Sequence, residues 1–378
     1  MKKVYLDNAA TTKTAPEVVE DMKPYFLEKY GNASCLHKWG QEARDAVETS
    51  RELIANKINA LSEEIIFTSG GSEANNLAIK GVAYQLKEKG NHIVVSEFEH
   101  PAVLNTCRAL EKKGFEITYV AVDKQGFVNL EQLKNSITNK TVLVSIMHAN
   151  NEIGTIQNLE EIGKICNEND VLFHSDCVQS LGKVGVDVKK FNLSLATFSA
   201  HKIHGPKGIG VLYVKKGVKL CKQIDGGPQE FNQRAGTENV SGIIGFARAI
   251  DIITEEDVRI MRKMRDYLVE ELLKIDGTSL NGSKENRLCN NVSVAFQNVE
   301  GESILLSLDD KGIAVSTSSA CTSSKLESSH VLKAIGLKPE DSHGTIRFTL
   351  SKYTTKEELD YVIESVGEIV KNLRRISP

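Results

Sequence analysis

Between residues 65 and 214 the chain alternates short, unbroken apolar runs with longer amphipathic stretches. The runs are Ile65-Ile66-Phe67-Thr68, Ile93-Val94-Val95-Ser96, Ile117-Thr118-Tyr119-Val120, Val142-Leu143-Val144-Ser145-Ile146, Val171-Leu172-Phe173, Leu195-Ala196-Thr197-Phe198 and Val211-Leu212-Tyr213-Val214. Short β-branched runs without polar alternation suit strands buried on both faces. Between the first two, Ala74, Leu77, Ala78, Gly81, Val82 and Leu86 recur at helical spacing, with Lys80, Lys87 and Glu88 off that stripe and Gly90 where a helix would stop. This rhythm predicts an α/β fold, a mainly parallel sheet flanked by helices.

From about residue 255 the texture changes. A charged helical stretch, Glu255 to Lys274, precedes the strand-like Asn291-Val292-Ser293-Val294-Ala295-Phe296, and a closing helix is expected from Lys356 to Arg374. At 378 residues the chain is long for one compact unit. We expect a large domain over 13–254 and a smaller α+β domain built from 1–12 and 255–378, the latter bearing Cys321.

A charged fraction of 26% and a net charge of −3 give no reason to expect a nucleic-acid or membrane surface. The apolar runs fall short of the roughly 20 residues a spanning helix needs, so a cytoplasmic protein is expected. The seven cysteines are dispersed and include no CxxC pair, which suits free thiols better than a disulfide framework.

Candidate chemistry gathers where strands end. Lys202, in Ser199-Ala200-His201-Lys202 just past an apolar run, is placed to form a Schiff base with a carbonyl cofactor; alone, it would read as a solvated charge. Asp176 and Gln179 follow the run at 171–173, and a carboxylate at a protonated ring nitrogen beside a lysine at an aldehyde is what pyridoxal phosphate needs. Ser69-Gly70-Gly71-Ser72-Glu73 joins the first strand to its helix, a turn able to aim N–H groups and the Ser72 hydroxyl at a phosphate, or simply to cap the helix. Ser199 and His201 offer further anion contacts. His100 and Asn151 follow later strands, one able to stack on a ring and the other to donate to a carboxylate or ring oxygen, although the first also reads as a satisfied structural histidine and the second as part of an ordinary turn. Arg347, framed by β-type residues, is a natural bidentate partner for a carboxylate, the rival reading being a surface strand arginine. Cys321 lies in the small, polar segment Val315 to Ser324 and is the best nucleophile candidate. Gly205-Pro206-Lys207-Gly208-Ile209-Gly210 only faintly suggests a dinucleotide fingerprint, because a strand rather than a helix follows it.

Taken together the motifs resemble the pyridoxal-phosphate cysteine desulfurases of the NifS/IscS type, within the fold-type I, class V aminotransferase family. The landmarks are Tyr5 to Thr12, Phe67 to Asn76, Glu99-His100, His148 to Gly154, Asp176 with Gln179, Ser199 to Gly208, Arg234 to Thr237, and Ser319 to Thr322. The resemblance implies a seven-stranded sheet in the large domain and a homodimer with sites at its interface. It implies Lys202, His100 and Cys321 as catalytic residues. Ser72, Glu73, His100, Asn151, Asp176, Gln179, Ser199, His201 and Lys202 would hold pyridoxal phosphate, with Thr237 joining from the second subunit. Asn151 and Arg347 would bind L-cysteine, and Cys321 would take its sulfur as a persulfide, leaving alanine. The stretch from Cys321 to Leu332 resembles the longer loop of desulfurases that pass sulfur to a partner such as an iron–sulfur scaffold. No metal is expected in the isolated enzyme, Cys321 being at most a transient iron–sulfur ligand with that partner. Where the family often has Thr, Ser72 keeps the hydroxyl.

Overall fold

The structure, a computed structural model, describes residues 2–317 and 329–376. Seven strands form the main sheet: β1 (Ile65–Thr68), β2 (His92–Ser96), β3 (Glu116–Val120), β4 (Thr141–Ser145), β5 (Leu172–Asp176), β6 (Leu195–Ser199) and β7 (Gly210–Val214). Their order is β1-β7-β6-β5-β4-β2-β3. β7 runs antiparallel to both neighbours, and the other adjacent pairs are parallel. The carboxyl ends of β1, β2, β4, β5 and β6 therefore open along one edge, where ligands gather in sheets of this kind.

Alternate residues of each strand feed two apolar layers. Phe67, Val94, Val144, Phe173 and Phe198 face a layer completed by helices Lys38–Lys57, Leu159–Glu168 and Val240–Asp251. Ile66, Ile93, Val95, Leu143 and Leu195 face helices Gly71–Gln85 and Pro101–Glu111. Burial on both faces explains why these strands read as continuous apolar runs, whereas β3, at the sheet edge, is partly exposed and carries Glu116, Thr118 and Tyr119.

β5 extends past its apolar run through His174, Ser175 and Asp176, all buried. The polar His174 is tolerated there because both ring nitrogens have hydroxyl partners on neighbouring strands, Ser145 Oγ at 2.8 Å and Thr197 Oγ1 at 3.1 Å.

A second, antiparallel sheet has β8 (Thr278–Leu280), β9 (Asn291–Phe296), β10 (Ser316–Thr317) and β11 (Thr345–Thr349) in the order β10-β11-β9-β8. Val292, Val294, Phe296, Ile346 and Phe348 pack there with helices Glu255–Leu272, Gly301–Asp310 and Lys356–Ile376. Val4 and Leu6 belong to this core, and Asp7 bridges to Thr349. The chain then crosses to the main sheet, where Thr12 N–H donates to the carbonyl of His201 at 2.9 Å. Among the described residues no helix is long and apolar enough to cross a membrane.

The β1 edge is pinned by a buried ion pair. Arg51 donates through Nη1 to Glu230 Oε2 at 2.8 Å and through Nη2 to Oε1 at 3.1 Å. Glu230 also accepts from the Phe67 N–H at 2.8 Å, satisfying an edge-strand donor inside the protein. To reach it the chain holds Glu230, Phe231 and Asn232 at φ of 45°, 54° and 62°, a left-handed run in residues that carry side chains.

Candidate functional site

Along the carboxyl edge lies a cavity of about 450 Å³ whose lining includes Asp176, Gln179, Lys202, His100, Asn151 and Arg347. These residues come from five separate segments, brought together by parallel strands ending at one level and by β11 of the second sheet.

Lys202 ends the single 3-10 turn, Ala200–Lys202, that follows β6. Its amine donates to the carbonyls of Ala9 at 2.6 Å and Ala10 at 2.7 Å. Desolvation, reinforced by the cations of Lys183 and Arg347, brings its pKa down from 10.5 to about 8. Such an amine reaches its nucleophilic, neutral form near physiological pH.

Asp176 closes β5 with its side chain buried. Its Oδ2 accepts from Asn75 Nδ2 at 2.7 Å and its Oδ1 from the Val178 N–H at 3.0 Å, so both oxygens are fixed. Gln179 donates to the Ala9 carbonyl at 3.0 Å, beside the Lys202 amine.

His100 caps helix Pro101–Glu111, its Nδ1 accepting from the Ala102 N–H at 3.1 Å. An accepting Nδ1 places the ring proton on Nε2, and burial lowers the imidazole pKa, favouring that neutral form.

The anion cradle adjoins this cavity. Ser69, Gly70, Ser72, Ser199, His201 and Lys207 are among the residues lining it. Gly70 has φ of 153° with open space where a Cβ would stand, and helix Gly71–Gln85 has no side-chain cap at its first turn. Those N–H groups suit a phosphate. His201 Nδ1 lies 3.2 Å from the Thr11 hydroxyl. Desolvation brings the His201 pKa down to about 4, so the ring is neutral; with Thr11 donating to Nδ1, Nε2 is a donor.

Glu73 is less available than the sequence suggested. Its carboxylate takes the Ser69 N–H at 2.8 Å and Arg234 through Nε at 2.7 Å and Nη2 at 3.2 Å. What remains for an anion is its backbone N–H. Thr237 is exposed and lines neither the cavity nor the cradle within this chain. Cys321 lies outside the described residues.

Arg347 on β11 donates through Nη1 to the Asn151 carbonyl at 3.0 Å and through Nη2 to Asp7 Oδ1 at 2.9 Å. Its buried Nε has no hydrogen-bond partner among the described residues. A buried donor left open beside a cavity is suited to an incoming carboxylate.

Several contributors were not singled out as site residues from the sequence: Asn75 beneath Asp176, Asp7 on Arg347, the Ala9 and Ala10 carbonyls, and two buried acids. Glu99 is fully buried; its Oε1 accepts from the Ser96 hydroxyl and, at 2.7 Å, from the Met147 N–H. Burial pushes its pKa up to about 8 against those bonds. Glu152, raised to about 7 by burial, accepts from the Ser329 hydroxyl at 2.5 Å. An acid beside Asn or His reads as turn chemistry, and nothing local in the sequence marks it as buried.

The model of the family described as "Aminotransferase class-V" matches residues 4–362. The chain belongs to the class-V aminotransferase family. Within it the chain groups with cysteine desulfurases. It is 54% identical over 381 residues to the cysteine desulfurase IscS of Dictyoglomus turgidum, covering all of this chain and 97% of that protein. It is 51% identical over 380 residues to the cysteine desulfurase IscS of Methanosarcina thermophila, covering 94% of that protein. Among solved structures, a NifS-like protein superposes with a TM-score of 0.93 at 40% identity, covering 98% of this chain and all of the other. SspA in complex with cysteine does so with a TM-score of 0.85 at 36% identity, covering 93% of this chain and all of the other.

Proposed function

We propose that this class-V family member is a pyridoxal-phosphate-dependent cysteine desulfurase, converting L-cysteine to L-alanine and moving the sulfur to Cys321 as a persulfide. The observation that carries the reading is the convergence, on one cavity, of the Lys202 amine, the Asp176 carboxylate and the Arg347 guanidinium, whose buried Nε has no partner among the described residues. The relatives named for this activity, and a related structure described with cysteine, support it.

The residues present fit the cofactor. Ser72, Ser199, His201 and the uncapped N–H groups after Gly70 would hold its phosphate. Asp176 would face its ring nitrogen, Gln179 its ring oxygen, His100 its ring face, and Lys202 its aldehyde. When bound, pyridoxal phosphate supplies an electron sink that lets an amino acid lose its α-proton.

The chain's own residues do the rest. Arg347 and Asn151 hold the substrate carboxylate and thereby aim the α-carbon at Lys202. The Lys202 amine, neutral above a pH of about 8, accepts the α-proton at Nζ and returns a proton to the product. Asp176 stays fixed by Asn75 and Val178, so its charge does not reorganise during turnover. The Cys321 thiolate attacks the substrate sulfur: an S–S bond forms, the Cβ–S bond breaks, and the electron pair left on carbon is protonated to give alanine.

We extend the proposal to a homodimer in which Thr237 of the second copy joins the phosphate site, to two units divided as 13–254 and 1–12 with 255–378, to a cytoplasmic location, and to delivery of sulfur to an iron–sulfur scaffold. The IscS name of the relatives supports that acceptor.

The test is to incubate purified protein with cysteine and quantify alanine together with protein-bound persulfide. Equal amounts are expected, and Cys321→Ser should abolish the persulfide. Release of pyruvate, or turnover that requires a keto acid, would overturn the reading.

A further inference from the structure

The side chain of Arg347 is 9% exposed, yet its three nitrogens are unequally used. Nη1 is committed to the Asn151 carbonyl and Nη2 to Asp7, while Nε is open among the described residues. On a guanidinium, Nε and Nη2 point the same way and form the two-pronged face that grips a carboxylate side-on. Arg234 shows the completed arrangement in this chain, its Nε and Nη2 on the two oxygens of Glu73. At Arg347 the same face is half taken: Asp7 occupies one prong and leaves the other empty.

Asp7 is also placed to be displaced without leaving. Its backbone is held by the bridge to Thr349, and its carbonyl accepts from the Ala10 N–H at 3.1 Å. Its side chain is 21% exposed, which leaves the carboxylate room to turn. Asp7 lines the same cavity as Lys202 and Arg347.

We propose that Asp7 is a specificity-determining residue by which the site selects an amino acid over a simple carboxylic acid. The inference rests on the reading of this cavity as an amino-acid site. An incoming carboxylate takes both prongs of Arg347 and pushes Asp7 off Nη2. In the holoenzyme, where Lys202 is committed to the cofactor, Asp7 then stands beside an anion without an ion-pair partner, which is costly in a partly desolvated cavity. A ligand with an ammonium one carbon from its carboxylate restores that missing cation. A ligand without one leaves Asp7 unpaired and is rejected. Discrimination thus arises from a penalty against the wrong ligand as much as from attraction to the right one. It acts at entry, before any covalent chemistry.

The experiment is calorimetric titration of the holoenzyme with L-alanine and, separately, with propionate, which has the same carbon skeleton and no ammonium. In the wild type alanine binds far more tightly. In Asp7→Asn, propionate binding should tighten at least tenfold while alanine binding does not, so the alanine-to-propionate ratio falls at least tenfold. Asp7→Ser should move the ratio the same way, and an unchanged melting temperature of either variant confirms the fold. A ratio that survives in both variants overturns the inference, and the desulfurase reading then stands or falls on the wild-type alanine and persulfide yields alone. A wild type that makes no alanine from cysteine overturns the underlying reading and the inference with it.

Discussion

Lys202 places its Nζ 2.6 Å from the carbonyl oxygen of Ala9, a residue 193 positions earlier in the chain. The contact ties the reactive amine to the segment that crosses from the second core to the main sheet. The amine is held in place by acceptors that take its protons without adding a negative charge.

A first prediction concerns that amine. With its pKa near 8, capture of pyridoxal phosphate by cofactor-free protein should accelerate as pH rises, with a midpoint near 8 rather than 10.5. Lys183→Met removes the largest cationic contribution and should move the midpoint upward. Stopped-flow absorbance across pH 6–10 measures both; a midpoint unmoved by the substitution would show that the Lys183 charge does not reach Lys202.

Asn75 should matter almost as much as the acid it supports. Asn75→Ala removes a charge-assisted bond to Asp176 and should weaken cofactor affinity about tenfold, the effect of roughly 1.4 kcal/mol from losing one bond to an ionised group. Absorbance titration gives the number, and affinity equal to wild type would place the control of Asp176 elsewhere.

Glu99 makes stability depend on pH in a defined direction. Its folded pKa of about 8 stands above the 4.5 of the free acid, so the folded state binds the proton more tightly. The associated stability is fully present below pH 4.5 and is lost as pH rises toward 8, at up to about 1.4 kcal/mol per pH unit. Glu99→Gln cannot ionise and keeps an acceptor for Met147. Its melting temperature should gain on the wild type from pH 5 to pH 8; a constant difference would contradict a buried neutral acid.

Arg51→Ala leaves Glu230 a buried, unpaired carboxylate and should cost about 3–5 kcal/mol in denaturant unfolding. Because Glu230 also holds the Phe67 N–H, the variant should loosen β1 and the cradle after it. Faster amide exchange in residues 65–73 would register this, and an unfolding curve matching wild type would rule it out.

Much of the architecture was legible because burial on both faces leaves an unmistakable trace in a strand. Ile65–Thr68 and Asn291–Phe296 coincide with the apolar runs that predicted them. β5 ends at Asp176 as expected, but its polar continuation through His174 is explained only by the hydroxyls of Ser145 and Thr197 beside the imidazole, partners far off in sequence. The site divides in the same way. Lys202 and Asp176 could be named because their chemistry is distinctive at strand ends, and Arg347 because a guanidinium framed by β-type residues is a natural carboxylate partner. Asp7, Asn75 and the Ala9 carbonyl could not, since their value lies in partners 101 to 340 positions away.

The pairing of Asp7 with Arg347 also sets an order of events at the ribosome. By the time β7 has emerged, Lys202 and Asp176 exist, but the strand bearing Arg347 lies about 130 residues further along the chain. A chain ending before residue 345 has the lysine and the acid, yet it has neither the guanidinium with which to seat an amino acid nor the cation that helps lower the lysine's pKa.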